Sequence, residues 1–317
     1  MNLIIKQLLQ SLTVGLILPG LLFSSVGEDS GAQIPGEDTS IMQESASEIW
    51  IPVLKKDGRL VAMELESYIS RVVLGEMPAS FDREALKAQA VAARTYTLQC
   101  VEDGDRHNGA VCTDYRCCQT YMEPEDYIGN RGTQKNVEKV FAAVAQTAGQ
   151  VLTYDGDLIC ATYFASAGGV TEDAREVWGQ SYPYLVSVES PETSVYDGEK
   201  VSVSAQEFQE KLGITLSGSP SSWFGAMTYT IGNGVDSIWI GGHKFSGLEL
   251  RKIFGLRSTV FTVQADSSGV TFQTTGYGHR VGLSQHGADA LADQGYGYRQ
   301  ILAHYYQGTT LEQYDPH

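Results

Sequence analysis

YISRVVLGEMPASFDREALKAQAVAARTYTL, residues 68–98, decides how the rest of the chain is read. Ile69, Val72 and Val73 recur at the spacing of a short amphipathic helix, and Pro78 pushes Met77 out of helical dihedrals, so a first helix is expected to stop near Glu76. Glu76 then sits at the negative pole of that helix, with apolar Met77 and Phe81 close by, and both features disfavour an ionised carboxylate. A carboxyl held neutral is what a general acid needs. A second helix opens with Asp82 as N-cap and Glu84 in its first turn, and continues through an alanine-rich stretch suited to close packing. On this helix Lys87, Gln89 and Arg94 are expected to present polar groups toward a cleft. Taken alone, the stretch favours a plainer reading of Glu76, a surface acid at a helix end.

The 317 residues, 42% of them hydrophobic, suffice for a full core. A formal net charge of −16 argues against a nucleic-acid partner or an anionic membrane surface, both of which need a basic footprint, and leaves a mostly neutral glycan compatible. Residues 1–27 carry Lys6 and then a mostly apolar run, which reads as a membrane anchor or a signal segment; the lack of a small-x-small cleavage site favours the anchor. Residues 28–48 have the polar, acidic composition of a flexible linker, leaving residues 49–317 as the folded domain.

Within that domain, residues 50–65 predict a hairpin about the KKDG tetrapeptide. Residues 136–148 predict a helix, and residues 151–166 a hairpin about Asp155 and Gly156 that ends in the glycine pair Gly168 and Gly169. Trp178, Tyr182 and Tyr184 follow; aromatic faces bind sugar rings, but taken singly each reads as core. Residues 190–250 are the least informative, although SAQEFQEKLG has the look of a capped helix and residues 241–264, GGHKFSGLELRKIFGLRSTVFTVQ, that of a helix entering a strand. Arg251 and Arg257 are read by default as surface ion-pair partners, with contact to substrate as the alternative. A loop rich in glycine, GYGHRVGLSQHGA at 276–288, gathers His279, Ser284, Gln285 and His286, and for His286 alone a packing role is preferred.

Five cysteines are too few for a disulfide scaffold. His107, Cys112, Cys117 and Cys118 fall in one loop with little apolar content, and such donors can hold a structural zinc ion tetrahedrally. A Cys112–Cys118 disulfide and ordinary free thiols are the alternatives. Cys100 and Cys160 lie in apolar contexts and read as small buried hydrophobes.

Five ordered blocks resemble the stage II sporulation protein D (SpoIID/LytB) family: GEMP at 75–78, ALKAQAVAARTY at 85–96, VCTD with a following cysteine and Gln119, GGVTEDAREVWG at 168–179, and GHRVGLSQHGA at 278–288. The resemblance implies an α+β fold, mixed helices and antiparallel hairpins forming lobes around a substrate cleft. It also implies a lytic transglycosylase that cleaves peptidoglycan glycan strands during sporulation and engulfment, with Glu76 as the catalytic acid and the loop of His279, Ser284 and Gln285 facing it across the cleft; these three, with Lys87 and Arg94 of the second helix, are the expected substrate-binding residues. Within it His107, Cys112 and Cys118 are the metal ligands, Cys117 standing where a histidine ligand is usual; Arg280 stands where glycine is usual and His286 where tyrosine is usual. The implied setting is the cell membrane, the domain lying outside the cytoplasm with a cell-wall amidase (SpoIIP-like) and a membrane protein as partners.

In that mechanism Glu76 protonates the glycosidic oxygen and its carboxylate then takes the muramic C6 hydroxyl proton, giving a 1,6-anhydro product from one acid. Hydrolysis ordinarily uses two carboxylates, for which Asp114 and Glu172 are the nearest candidates. A non-catalytic glycan-binding scaffold that enhances a cell-wall amidase is the alternative of a different class. A third reading is a cysteine hydrolase that uses Cys118.

Overall fold

The computed structural model describes residues 48–104, 106–130, 132–192 and 196–316. The expected anchor or signal segment at 1–27 lies outside the described residues, as does all but the last residue of the 28–48 linker. No helix among the described residues is long and apolar enough to cross a membrane.

Strands β1 (Trp50–Leu54) and β2 (Leu60–Glu64) pair antiparallel with Val53 opposite Val61, across a turn in which Gly58 has φ 83°. The hairpin runs directly into helix α1 (Leu65–Glu76), because the Glu64 carboxylate accepts the backbone N–H groups of Glu66 and Ser67 at 2.9 and 2.6 Å and so caps it. α1 ends where Pro78 requires, with Met77 extended at φ −123°, ψ 135°. Helix α2 (Arg83–Asp103) begins at Asp82, whose side chain accepts the Glu84 N–H at 2.7 Å, and stops at Gly104 in the left-handed region, φ 69°.

Strand β3 (Val111–Cys112) adds parallel to β1 and is followed by α3 (Pro124–Asn130) and α4 (Gln134–Ala145). Strands β4 (Gln150–Tyr154) and β5 (Asp157–Leu158) form the hairpin expected at Asp155 and Gly156, both of which take positive φ. β6 (Tyr163–Phe164) leaves that hairpin, and α5 (Ala174–Trp178) follows it. The chain then contributes β7 (Glu199–Ser204), α6 (Ala205–Leu212), β8 (Phe224–Tyr229), β9 (Val235–Ile240), β10 (His243–Ser246), α7 (Gly247–Phe254), β11 (Phe261–Asp266) and β12 (Gly269–Thr274). The chain closes with β13 (Leu283–Ser284), α8 (Gln285–Asp293), α9 (Tyr298–Tyr305) and β14 (Thr310–Gln313).

The architecture is α+β, built from small, mainly antiparallel sheets in the orders β2-β1-β3, β14-β4-β5, β10-β9-β8 and β11-β12-β7, with β13 and β6 joined in parallel. α2 is the central rod of the larger core: α1, α4, α8, α9 and β4 all pack on it, which is why its small side chains Ala85, Ala88, Ala90, Ala92 and Ala93 are buried around the helix rather than along one stripe. A second core, Phe208, Phe254, Phe261 and Phe272 with Trp223 and Ile238, forms between the two sheets of residues 199–274 and the helices α6 and α7.

Burial on every side of α2 overturns the expectation that Arg94 faces a cleft. Its side chain is 0% exposed and its guanidinium clamps Glu66 through two hydrogen bonds of 2.8 and 2.5 Å, donating also to the Gln150 carbonyl at 3.0 Å. Lys87 is likewise diverted: it pairs with Glu84 at 2.6 Å, one turn back on α2, and lies over the ring of Tyr298. Both are packing residues of α2.

Candidate active site

The junction between α1 and α2 opens onto a cleft of about 780 Å³ whose walls come from residues 74–81, 115–130, 162–165 and 277–286, with Tyr96, Gly132 and Tyr196. Glu76 lines it, half-buried, together with the buried Met77 and Phe81. Among the described residues lining the cleft it is the one carboxylate. Burial raises its pKa above the ordinary 4.5, and this outweighs hydrogen bonds from Thr120 and from the Gln285 side chain, which favour the ionised form. Opposing causes thus act on the acid, and the one that favours its neutral form is the larger.

Local sequence places those donors. The Thr120 N–H reaches Glu76 Oε1 at 2.5 Å because Gly75 lets the 120–122 segment lie against α1: a Cβ on Gly75 would meet Thr120 Cγ2 at 2.9 Å and the Thr120 carbonyl carbon at 3.3 Å. Behind this contact Gln119 is fixed by donating to Thr97 at 2.8 Å and accepting the Tyr163 hydroxyl at 2.7 Å. Burial, with the charge of Glu76 second, lifts the Tyr163 phenol well above its usual range, so it stays a neutral donor.

Opposite Glu76, Gln285 begins α8 and its amide also donates to Gln89 of α2 at 3.4 Å. Ser284, expected to bind substrate, instead caps that helix: it is fully buried, its Oγ accepts the Gly287 N–H at 3.2 Å and donates to Glu192 at 2.5 Å. Its part is to hold Gln285 in place. His279 lines the cleft as expected, its ring 5.5 Å from those of both Phe164 and Trp178. Burial and then the positive charge of Arg251 bring its pKa down to about 4, and Nδ1 accepts the Val281 N–H at 3.2 Å, so the ring is a neutral imidazole.

Three features escaped the sequence. Thr120 carries no motif of its own and is found only through the fold. His286 lines the cleft, edge-on to Phe81 at 4.9 Å and to Tyr196 at 5.6 Å, rather than serving only to pack its loop. Glu192 gathers Ser166, Ser190 and Ser284 with the backbone N–H groups of Ala167 and Gly168, and so ties the glycine pair to the start of α8.

Neither candidate for a second acid reaches the cleft. Asp114 is held by Arg116 at 2.7 Å and is kept low, to about 2, by that partner. Glu172 is buried, accepts the Thr230 hydroxyl at 2.5 Å and the Gly232 N–H at 3.1 Å, and faces Arg280 at 3.7 Å. Arg280 has φ 68°, a backbone region in which glycine is at ease. Its guanidinium offsets the strain by donating to the carbonyls of Ala167 at 2.9 Å, Val170 at 2.7 Å and Gly232. Burial still pulls it down to about 10.

His107, Cys112, Cys117 and Cys118 are brought together, their donor atoms all within 4.8 Å of one another. The His107 Nε2 lies 3.2 Å from Cys117 Sγ, and the Cys112 N–H points at Cys118 Sγ from 3.3 Å. Tetrahedral zinc, with bonds of about 2.0–2.3 Å to N and S, places its donors roughly 3.3–3.8 Å apart, so the set fits that ion with little rearrangement. Cys118 also lines the cleft, and the same loop leads directly to Thr120.

Comparison with known proteins agrees along nearly the whole chain. A family profile described as "SpoIID: Stage II sporulation protein" matches residues 55–154. Stage II sporulation protein D of Bacillus subtilis (strain 168) is 35% identical over 95% of this chain and 93% of its own length. The protein of the same name from Bacillus amyloliquefaciens is 35% identical with the same coverage. A protein named amidase enhancer, from Bacillus subtilis (strain 168), is 34% identical over 77% of this chain and 40% of its own length.

Proposed function

The chain belongs to the SpoIID family of stage II sporulation proteins, and from that premise we propose that it is a lytic transglycosylase acting on peptidoglycan glycan strands. What supports this most is the solitary acid: Glu76 is the carboxylate of an aromatic-lined cleft and is raised toward its neutral form by burial. Protonated, it donates to the oxygen of the bond between muramic acid and glucosamine. The carboxylate then left behind is stabilised by the Thr120 N–H and the Gln285 side chain, which favour the ionised form, and accepts the C6 hydroxyl proton as that oxygen closes on C1. One group serves in both directions, and no water enters the product. The aromatic walls, Tyr163, Phe164 and Tyr277 among them, suit the apolar faces of sugar rings.

A zinc ion at His107, Cys112, Cys117 and Cys118 belongs to the same proposal, as a structural group. Bound there, it supplies a positive charge that stabilises thiolates, where burial pushes Cys118 up to about 12. These side chains fix the loop that delivers the Thr120 N–H to Glu76. The proposed setting is the outer side of the cell membrane, beside a cell-wall amidase.

The likeness to a protein named amidase enhancer favours a second reading, in which the cleft holds glycan without cutting it. Incubation with amidase-treated peptidoglycan, followed by mass spectrometry, separates the two. Anhydromuramyl ends that vanish in Glu76→Gln are expected; no such product, or an undiminished yield from the variant, overturns catalysis by this acid.

A further inference from the structure

Tyr277 also lines a second groove of about 620 Å³, whose other walls include Arg251 and Lys252 at the end of α7 and Arg257 just after it. Three cations line this groove in a chain of net charge −16. The one acid lining it, Glu199, is taken up by an ion pair with Arg257. The Arg257 guanidinium also lies against the rings of both Tyr196 and Tyr277, at 5.1 and 4.8 Å from their centres. Arg251 differs. It is half-buried, its Nε donates to the Leu256 carbonyl at 3.3 Å, and among the described residues neither it nor Lys252 has a carboxylate at ion-pair distance. Cations at a helix C-terminus are ordinary, but exposed Lys252 already meets that need, and half-burying a guanidinium without an anion costs stability. Arg251 also stands close enough to His279, on the cleft wall, for its charge to depress the imidazole.

Resting on the glycan-cleaving reading, we propose that this groove is a subsite for a carboxylate on the sugar strand, with Arg251 as its principal anchor and Lys252 in support. A strand lying along the cleft passes Tyr277 and brings its next acidic substituent against the unpaired guanidinium. Two sources carry that chemistry: the free lactyl carboxylate of a muramic residue without peptide, and the carboxylates of an attached peptide.

The test is equilibrium binding to the full chain bearing Glu76→Gln, which prevents turnover. Three probes of matched length are used: neutral N-acetylglucosamine oligomers, glycan strands with free lactyl groups, and strands carrying peptides. Arg251→Gln should weaken binding of one or both carboxylate-bearing probes by about tenfold and flatten its salt dependence, leaving the neutral oligomer unchanged. The arm that loses affinity identifies the carboxylate. Arg251→Lys should restore most of the affinity, and Lys252→Gln should show the same pattern more weakly. Equal loss for all probes, or no loss for any, overturns the subsite while leaving the cleft assignment standing. If the parent binds none of the probes, the glycan-cleaving reading fails with it.

Discussion

Replacing Arg94 by Met should show that this arginine holds the fold and does not touch substrate. The substitution keeps much of the aliphatic volume but leaves the Glu66 carboxylate with the Gly149 N–H at 3.0 Å as its remaining partner, and strips the Gln150 carbonyl of a donor. Breaking a buried ion pair by removing one member costs about 3–5 kcal/mol. Glu66 keeps 25% of its side-chain surface in water, which puts the expected loss near the lower end, about 3 kcal/mol. For a body of this size that corresponds to a fall in Tm of roughly 6–12 °C. Thermal and urea unfolding measure it directly, and a cycle with Glu66→Gln should show the two effects to be strongly non-additive. Glycan affinity per folded molecule should be unchanged. A variant that unfolds like the parent but binds glycan strands poorly would refute the assignment and return Arg94 to the cleft.

Gly75→Ala should cost about 1–3 kcal/mol and lower kcat more than it raises KM, because the added methyl meets Thr120 and displaces the N–H that holds Glu76; urea unfolding and steady-state kinetics check this. Glu76→Gln should change stability with a definite sign. The folded pKa of Glu76 is raised, so its contribution is intact below the ordinary 4.5 and is lost as pH rises through the higher folded value; the variant should be the more stable protein at neutral pH and above, with the difference disappearing in acid. Treatment with a strong chelator should remove about one zinc per chain, lower Tm and abolish activity together, and Cys118→Ser should do the same; a metal-free protein of full activity would contradict the proposed zinc site.

What could be read in the sequence was what neighbouring residues enforce. The end of α1, the start of α2 and the two hairpins follow from Pro78, Asp82, Gly58 and the pair Asp155 and Gly156, each acting within a few residues. The position of Glu76 at a helix end was legible for the same reason. Its electrostatics were not, since its two donors, Thr120 and Gln285, arrive from 44 and 209 positions away. Arg94 misled because a helix buried all around offers no polar face to orient by. The helix entering a strand at 241–264 was legible and is α7 followed by β11, whereas β7 escaped notice because it alternates intermediate and exposed positions without one strongly apolar face. Arg280 departs from the glycine usual in the resembled family, and the fold shows how a side chain tethered to three carbonyls can occupy the left-handed backbone that position demands.

Digesting glycan strands in water labelled with heavy oxygen tests the lone-acid mechanism most directly. With Glu76 as sole donor and acceptor, mass spectrometry should find new muramyl ends that are short by one water and carry no label. Ends that gain a labelled hydroxyl would mean that a second group activates water, and the single-carboxylate mechanism would be wrong.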